Sequence, residues 1–376
     1  MSAAAEKTIN ERPLMAPVRI GVLGCGAIAQ VQHLPNLLEL DEEFAVPVVC
    51  DLSPEQAEYV AGRFKIPHHV STLEDLLATD IDAVLLCHAD PKTEAAVAAF
   101  EAGKHLLIEK PICFSLEEAD AMTEAMHKSG KVGQAAYMKA YDPAFDLARK
   151  EVEGMDYSFI QINHLHPSNA LHLDHFKVHY AGALRAEISA QRQAATKSML
   201  RQAFGDLFER AEPVYGITYG LIHDLYSLRN MVGVPAAVAS TEIWKNNRSI
   251  TSVLEYPNGA RCVISRVDLE ELWDFRETLE IYGDAKRVLL TYPTGFSRRV
   301  LSTLSVQGID QSGTSYRKEP AIPWESAFTA ELRHFHSCIT EGTPCRTPIT
   351  EARHDVELII DITKAYITGS PVRRAV

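Results

Sequence analysis

The sequence predicts an α/β protein of two parts: an N-terminal doubly wound parallel sheet, and a C-terminal α+β region with a large, mostly antiparallel sheet. Apolar strand runs alternate with helical runs through roughly the first 140 residues, as they do in parallel sheets with helical crossovers. After Ala236, strand runs instead follow one another around tight turns. The chain has 376 residues, and one core rarely supports a chain of that length.

The composition excludes several classes of function. The formal net charge is −13, with 50 acidic residues against 37 lysines and arginines, so nucleic acid is not an expected partner. No apolar run approaches the roughly 18 residues that a membrane span needs, so no membrane is expected either. The seven cysteines include no CxxC pair, which is typical of the reducing cytoplasm where we expect the protein to work. Residues 1–17 are expected to form a flexible tail without an export signal.

A glycine-rich turn follows the first strand run. Residues 18–23 are apolar and lead into the string GCGAIA and a helical pattern. Gly24 permits a tight turn, Gly26 lets backbone amides approach a pyrophosphate, and Ala29 lets the helix pack closely on the strand. Ordinary strand-to-helix turns also carry such strings, but here we predict dinucleotide binding. The residues assigned to it are Gly24, Gly26, Ala27 and Ile28.

An acidic residue at the end of the next strand run supports this interpretation. The run 44–50 ends in Asp51, slightly beyond the roughly 20-residue spacing at which an acid commonly binds the adenosine ribose. A carboxylate accepts hydrogen bonds from both ribose hydroxyls and repels a ribose phosphate, and no arginine adjoins Asp51. We therefore predict NAD rather than NADP as the cofactor.

The remaining elements of this region follow in order. The first helix is predicted to continue to about Leu40, with a kink or an early end at Pro35. Ser53 is predicted to cap a helix that ends at Phe64. Further strands are predicted at 81–87, 105–108 and near 132, with helices ending at 102 and near 128 between them.

The string AGKHLLIEKP at 102–111 carries a resemblance to a known family. Together with the glycine motif and Asp51, it resembles the Gfo/Idh/MocA family of sugar and cyclitol oxidoreductases, which includes a branch of NAD-dependent glycosidases. The resemblance covers nearly the whole chain. It implies a Rossmann NAD-binding domain at 18–138 and a substrate-binding and oligomerisation domain at 139–376.

Glu109 and Lys110 occupy the positions of the family's Glu-Lys-Pro motif. The resemblance implies that both bind the cofactor and that Lys110 is catalytic, on the nicotinamide side of the cleft. An ammonium at the carboxyl edge of a strand can polarise a substrate oxygen, and burial lowers its pKa towards the range where it transfers protons. The alternative is a lysine that simply closes the strand against solvent.

The run GQAAYMKAYDP at 133–143 resembles the family's crossing into the second domain, where a basic residue lines the substrate pocket. Lys139 is the matching candidate, and the neighbouring Tyr141 is a second residue expected to bind the substrate. A solvated lysine at a domain junction is the alternative for Lys139.

Five histidines lie at the start of the unusual segment 163–214. We expect a loop and lid that cover the substrate, with His164 and His166 as binding residues. The spacings HxH and HxxHxxxH can also bring imidazoles onto a metal, but no cysteine is interleaved, and no metal is predicted. Surface histidines without a role are the third possibility. The five are His164, His166, His172, His175 and His179.

The run 219–233 resembles the family's catalytic helix. His223 matches the catalytic histidine, whose imidazole titrates near neutrality and can take the proton of a hydroxyl. Asp224 is expected to orient it or to contact the substrate. The family usually has an aspartate four residues before the histidine, where this chain has Tyr219. Because positions i and i+4 share a helix face, Tyr219 is also predicted to face the site.

The last part of the chain reads as strands and two helices. The strands are predicted to form an antiparallel meander with a hairpin turn at Asn258-Gly259. One sheet face covers the helices, and the resemblance implies that the other pairs with a second subunit, in a homodimer or homotetramer. The predicted strands are 238–244, 250–256, 261–267, 278–282 and 287–291, and the predicted helices are 326–341 and 351–368.

Together these features predict an NAD-dependent oxidoreductase that moves a hydride between nicotinamide and a ring hydroxyl carbon of a sugar, glycoside or cyclitol. The basic residues around the expected pocket suggest an acidic sugar. One alternative is an NAD-dependent glycosidase that oxidises its sugar transiently, eliminates the aglycone, adds water and returns the hydride. The other is a non-catalytic NAD-binding sensor on the same fold.

Overall fold

The computed structural model describes residues 16–89, 91–181 and 186–374, so most of the predicted tail lies outside the described residues. Among these residues, the N-terminal part contains seven strands and five α-helices. The strands are β1 Val18–Leu23, β2 Phe44–Ala45, β3 Val48–Cys50, β4 His68–Val70, β5 Ala83–Leu86, β6 His105–Glu109 and β7 Gly133–Ala136. The helices are α1 Leu34–Glu39, α2 Pro54–Phe64, α3 Leu73–Ala78, α4 Thr93–Glu101 and α5 Leu116–Ser129.

These strands form a parallel sheet in the order β4-β3-β1-β5-β6-β7, with β2 also paired to β1. The chain moves outward in both directions from β1, so the sheet is doubly wound and the predicted fold class is confirmed for this part. The carboxyl ends of β1, β3 and β6 therefore lie on one edge. The glycine turn, Asp51 and Lys110 all follow those ends.

The first helix changes register where the sequence predicted a kink. Residues Ala29–His33 are π-helical, and α1 begins at Leu34. Pro35 has no N–H to donate, and it occupies the first turn of α1, where no intrahelical donor is required. The other predicted cap is present as well, since the Ser53 hydroxyl accepts the backbone N–H of Gln56.

The C-terminal part contains a nine-stranded sheet and eight helices among the described residues. The strands are β8 Phe159–His166, β9 Ala237–Trp244, β10 Ser249–Glu255, β11 Arg261–Asp268, β12 Arg276–Tyr282, β13 Lys286–Tyr292, β14 Thr303–Ile309, β15 Ser315–Lys318 and β16 Val372–Arg373. The helices are α6 Pro143–Val152, α7 Asn169–Leu173, α8 Ala186–Phe204, α9 Phe208–Ala211, α10 Tyr215–Tyr219, α11 Ile222–Val232, α12 Ala327–Thr340 and α13 Ile349–Thr368.

The strand order corrects the predicted meander. The sheet runs β15-β14-β13-β12-β8-β11-β10-β9-β16, so β8 is inserted between β11 and β12 and pairs with β11 in parallel. The segment from 163 was expected to be a loop, yet its first residues belong to this central strand. Ile160 and Ile162 of β8 are buried and alternate with partly exposed polar residues, which is strand periodicity. The sheet remains mostly antiparallel, as predicted.

The two parts share packing. One continuous core contains Ile108 of the first sheet together with Ile160 and Val288 of the second. Helix α12, late in the chain, contributes Leu332 and Phe335 to the core beneath the first sheet. The boundary between 138 and 139 stays a prediction, because side chains from both sides of it fill the same interior. Within the described residues, no helix is long and apolar enough to cross a membrane.

Candidate active site

The glycine turn leaves room for a ligand. Gly24 has φ +99°, and a Cβ there would lie 2.4 Å from the backbone nitrogen of His88, so only glycine fits. A Cβ on Gly26 would meet no described atom within 4 Å. The Gln30 N–H donates to the Gly26 carbonyl at 3.1 Å, which starts the helix at Ala27. Open space therefore faces Gly26 and the first amides of the helix, as a bound pyrophosphate requires.

Asp51 lies directly beside this turn. One carboxylate oxygen accepts the backbone N–H of Cys25 at 2.9 Å, and the other accepts that of Ser53 at 3.0 Å. Each oxygen keeps acceptor capacity for a further donor, such as a ribose hydroxyl. The structure thus brings together the two elements that were predicted to bind the nucleotide, and their donors and acceptors fit NAD.

A cavity of about 380 Å³ opens next to the turn, between the two parts of the protein. Most of the residues predicted for the site line it. The predicted residues outside its lining are Tyr141 and Asp224, together with Gly24, Gly26, Ala27 and Asp51 of the nucleotide side. The predicted residues in its lining are Ile28, Glu109, Lys110, Lys139, His164, His166, Tyr219 and His223. Phe114, Arg266, Phe275 and Glu277 also line it.

Strand β6 places Glu109 and Lys110 at the edge of this cavity. The Glu109 carboxylate bonds the His33 ring at 2.8 Å and accepts the Lys110 backbone N–H at 3.1 Å. Burial opposes ionisation of Glu109, yet His33 keeps its pKa below the usual value. Burial lowers the pKa of Lys110, and the charge of Glu109 only partly offsets this. Lys110 therefore gives up its proton more readily than an ordinary lysine.

Helix α11 places His223 opposite Lys110. The His223 Nδ1 atom lies 3.1 Å from the Tyr226 hydroxyl, which also accepts the backbone N–H of Lys139 at 3.3 Å. Burial, with the charges of Lys110 and Lys139, lowers the pKa of His223 well below its ordinary value. A neutral imidazole with Nδ1–H donated to Tyr226 has a lone pair on Nε2, as a general base requires.

Asp224 points away from the cavity and supports a second histidine. Its carboxylate bonds the His164 Nδ1 at 2.9 Å, and the His164 Nε2 lies 3.2 Å from the His166 Nδ1. Burial lowers the pKa of both imidazoles to about 3, and burial raises the pKa of Asp224. The three residues form a hydrogen-bonded row that ends at the cavity wall. His164 and His166 belong to β8, which is why they are fixed rather than part of a lid.

Lys139 is buried and paired. It lies in the 3₁₀ turn Met138–Tyr141, and its ammonium forms an ion pair with Glu277 of β12. The same ammonium is 4.9 Å from the centre of the Tyr292 ring. The alternative of a solvated junction lysine is therefore wrong, since Lys139 is 4% exposed. Its charge is already compensated by Glu277.

The two predicted tyrosines have different surroundings. The Tyr219 ring lines the cavity, but its hydroxyl donates to the Phe114 carbonyl. Tyr141 does not reach the cavity, because its hydroxyl lies 2.7 Å from that of Thr347, and its ring faces His334. The prediction followed adjacency to Lys139 in the sequence. Two residues apart in a 3₁₀ turn, the two side chains leave the backbone in different directions.

The residues that the sequence analysis missed include three with polar contacts at the site: Tyr226, Arg266 and Glu277. Tyr226 follows His223 by three positions, so helical spacing could have identified it. Arg266 and Glu277 lie on strands β11 and β12, on either side of β8, and no local pattern signals them. The Arg266 Nη1 donates to the Gly220 carbonyl at 2.5 Å, and its Nε is 3.5 Å from an Asp268 oxygen.

In the part of the chain that the structure describes, two groups of side chains have donor atoms close enough together to hold a metal. One is His164, Asp224 and Glu277 at the cavity, and the other is His334, Cys338 and Cys345 at the end of α12. In the first group, Asp224 already bonds His164 and Glu277 pairs with Lys139. The absence of a metal from the reaction stays a prediction.

Residues 18–137 match the model of the GFO_IDH_MocA oxidoreductase family, which is described as having an NAD-binding Rossmann fold. This is the region that carries the glycine turn, Asp51 and Lys110. The prediction of an NAD-binding fold is therefore confirmed.

Individual proteins agree with this match. The scyllo-inositol 2-dehydrogenase (NAD(+)) of Bacillus subtilis is 25% identical over 95% of this chain and 96% of its own. An inositol 2-dehydrogenase of Saccharopolyspora erythraea is 32% identical over 36% of this chain. The match spans only 40% of the length of that relative. An Agrobacterium radiobacter oxidoreductase, solved with NAD+, L-tartaric acid and magnesium, shares the fold at 14% identity and a TM-score of 0.69, over 95% of this chain and 98% of its own.

Proposed function

We propose, from the premise that this chain belongs to the Gfo/Idh/MocA family of NAD-binding oxidoreductases, that it oxidises a ring CH–OH of a cyclitol or sugar and reduces the matching ketone. The observation that carries the proposal is that Lys110 and His223 line one cavity, which continues to Ile28 at the nucleotide turn. The inositol dehydrogenases among its relatives support a polyhydroxylated ring as the substrate.

Bound NAD supplies a carbon that accepts or returns a hydride. The amides after Gly26 hold the pyrophosphate, and Asp51 accepts hydrogen bonds from the adenosine ribose. We expect Asp51→Ala to weaken NAD binding and to relax the exclusion of NADP, because it removes both the acceptor and the negative charge. Titration calorimetry with each cofactor measures this. Equal affinity of the native protein for NAD and NADP would contradict it.

His223 and Lys110 handle the proton of the reacting hydroxyl. The Nε2 atom of neutral His223 takes the proton as the carbon gives up its hydride. The Lys110 ammonium donates a hydrogen bond to the same oxygen and stabilises the charge that develops on it. The lowered pKa of His223 keeps its imidazole neutral and able to accept a proton, and the lowered pKa of Lys110 makes its ammonium a better proton donor to the substrate oxygen.

A substrate panel tests the proposal. Purified protein is incubated with NAD and a series of cyclitols, aldoses and glycosides, and NADH absorbance is followed. We expect NADH to form with at least one polyol. If NAD binds but no member of the panel forms NADH or releases an aglycone, the sensor alternative is favoured instead.

An acidic substituent on the substrate is the finer form of this proposal. The basic residues from which an acidic substrate was predicted do not offer it a free positive charge. Lys139 pairs with Glu277, and His164 and His166 are neutral. Arg266 now supports it, because its guanidinium lines the cavity and can bind a carboxylate. We expect uronates to react faster than the corresponding neutral hexosides, and Arg266→Gln to remove this preference. Faster reaction of neutral hexosides would contradict it.

The row Asp224, His164 and His166 favours a second candidate function. A ketone makes the neighbouring C–H acidic, so a further proton-transfer group beside the cavity allows a substituent to be eliminated and the hydride to be returned. This is the NAD-dependent glycosidase. An aryl glycoside separates the two functions. Aglycone released in large excess over NAD, without NADH, supports the glycosidase, whereas NADH formed in step with consumption of an intact glycoside supports the dehydrogenase.

A further inference from the structure

Residues Phe176–Ala181, here called the clasp, cross from the C-terminal part onto the nucleotide turn. The clasp begins where the helical turn Asp174–Phe176 ends, and Lys177 takes a left-handed conformation with φ 48°. Arg63 of α2 then donates to the Phe176 and Lys177 carbonyls at 3.0 and 3.2 Å. The sequence analysis expected this histidine-rich segment to cover the substrate. Its bonds are instead to the nucleotide side.

Two buried glutamines fasten the clasp to the turn itself. The amide nitrogen of Gln30 donates to the Cys25 and His179 carbonyls, each at 2.8 Å. The amide nitrogen of Gln56 donates to the same two carbonyls, at 2.8 and 3.0 Å. Their oxygens accept the backbone N–H groups of His179 at 3.0 Å and Ala181 at 2.6 Å. Each glutamine amide thus donates to the nucleotide turn and to the clasp, and also accepts a backbone N–H of the clasp. These bonds leave the two side chains little rotational freedom.

An aromatic contact closes the outer side. The His179 ring stacks on the Tyr59 ring, with centroids 3.7 Å apart and planes 19° from parallel. Tyr59 lies on α2, one turn after Gln56. The clasp is therefore held through backbone bonds on one side and by ring stacking on the other.

The residue that these bonds converge on is Cys25, between Gly24 and Gly26. The Asp51 carboxylate accepts the Cys25 N–H, and the side-chain amides of Gln30 and Gln56 donate to the Cys25 carbonyl. The nucleotide turn, the acid expected on the ribose and the clasp consequently form one bonded unit. A dinucleotide seated on the turn would therefore bind directly beside the clasp.

We propose that the clasp retains the dinucleotide, so that NAD stays bound as a resident group and exchanges slowly with the medium. This rests on the binding of NAD that the proposed function also requires, but not on any substrate. The clasp residues act by position: the bonds from Arg63, Gln30 and Gln56 hold the segment against the turn, and Tyr59 and His179 hold its outer side. Slow exchange then follows from a high barrier to release rather than from added contacts to the nicotinamide.

The test measures release of NADH without turnover. NADH-loaded protein is mixed with excess NAD+, and the decay of NADH fluorescence gives the dissociation rate. The variants are Tyr59→Ala, which removes the stack, and Arg63→Ala, which removes both carbonyl bonds. Tyr59→Phe keeps the stack, and Tyr180→Ala changes an exposed side chain of the clasp, so these are the matched controls.

We expect slow release from the native protein and from both controls, NAD that co-purifies through gel filtration, and release about tenfold faster from each alanine variant. A tenfold change corresponds to about 1.4 kcal/mol, the scale of one or two hydrogen bonds. Rapid release from the native protein, or equal rates in all variants, overturns the clasp and leaves the proposed function standing. If the native protein does not bind NADH at all, the proposed function fails as well.

Discussion

At the scale of single residues, the site depends on which His223 nitrogen carries the proton. Tyr226 is the partner of Nδ1, because its hydroxyl lies against that atom and also accepts the Lys139 N–H. Donation from Nδ1–H leaves Nε2 as the base. The residue that makes His223 useful is therefore one helical turn away, and it was not among the residues predicted from the sequence.

Tyr226→Phe removes this hydroxyl and little else, since the ring is buried and stacked on Tyr137. We expect kcat to fall by about ten- to a hundredfold while NAD affinity stays near that of the native protein, because the imidazole loses its orientation and the nucleotide turn is untouched. Stopped-flow kinetics and NAD titration measure the two effects. Tyr137→Phe, which removes the hydroxyl of the stacked neighbour and leaves the contact between Tyr226 and His223 in place, is the control. An unchanged kcat in Tyr226→Phe would remove the orienting role.

Much of the site was predicted residue by residue, but its pairings were not. Lys110, His223 and His164 were identified by type and position. The partners of Lys139 and His164 are Glu277 and Asp224, more than fifty positions away in the sequence, and only the folded sheet brings them into contact. Charge at the site was overestimated for this reason, because a lone lysine and a compensated one look the same in a sequence.

At the scale of elements, the two glycines of the nucleotide turn have different surroundings, which fit the different roles that the sequence analysis gave them. Gly24 needs its φ of +99° and has no room for a Cβ, whereas Gly26 has room and faces open space. The first glycine serves the fold, and the second serves the ligand.

Alanine at each position tests this division. We expect Gly24→Ala to lower the free energy of unfolding by about 2–4 kcal/mol, from backbone strain and the overlap with His88. We expect Gly26→Ala to unfold like the native protein but to bind NAD more weakly, because its methyl group occupies the ligand space. Urea unfolding and NAD titration give both numbers. Equal loss of stability in the two variants would refute the distinction.

Elements were well predicted where periodicity was the main signal, as in β1, β6, α5 and α13. Strand β8 was not predicted as a strand, because the spacing of its histidines is also typical of a metal site or of a loop that covers a substrate. Its apolar residues alternate with polar ones, yet both neighbouring strands come about a hundred residues later in the chain. A short stretch of sequence does not indicate which distant strands it will pair with.

At the scale of the whole molecule, buried histidines link stability to pH. Burial lowers the pKa of His164 to about 3, against an ordinary value near 6.5. Between these values the unfolded chain binds a proton that the folded chain does not. Stability that is present above about pH 6.5 is therefore lost as the pH falls, at about 1.4 kcal/mol per pH unit for each such histidine.

His164→Gln is expected to reduce the slope of unfolding free energy against pH between about pH 6 and pH 4, because one of these protons is no longer taken up on unfolding. Urea unfolding at several pH values measures it. His69→Gln, at an exposed position, is expected to leave the slope unchanged. If His164→Gln also leaves it unchanged, His164 does not contribute to the pH dependence.

The predicted homodimer or homotetramer also belongs to this scale. Helices such as α6, α10 and α13 pack beside the strands of the nine-stranded sheet, and the face that carries Val253 and Val263 is only partly buried. These two valines are directly paired across β10 and β11. We expect light scattering to give a dimer or tetramer and Val263→Arg to dissociate it. A native monomer would contradict the prediction.

The most direct test of the central claim compares NADH formation by the native protein, Lys110→Met and His223→Gln with the best polyol at saturating NAD. His223→Gln is expected to bind NAD like the native protein, because His223 is not among the residues predicted to bind the cofactor. Lys110→Met is expected to bind NAD more weakly, and saturating NAD removes this difference from the comparison. In the first turnover, before any nucleotide is released, each is expected to form NADH about a hundred- to ten-thousandfold more slowly, since each lacks a group that acts on the hydroxyl proton. Near-native NADH formation in either variant, with NAD bound, would contradict the account.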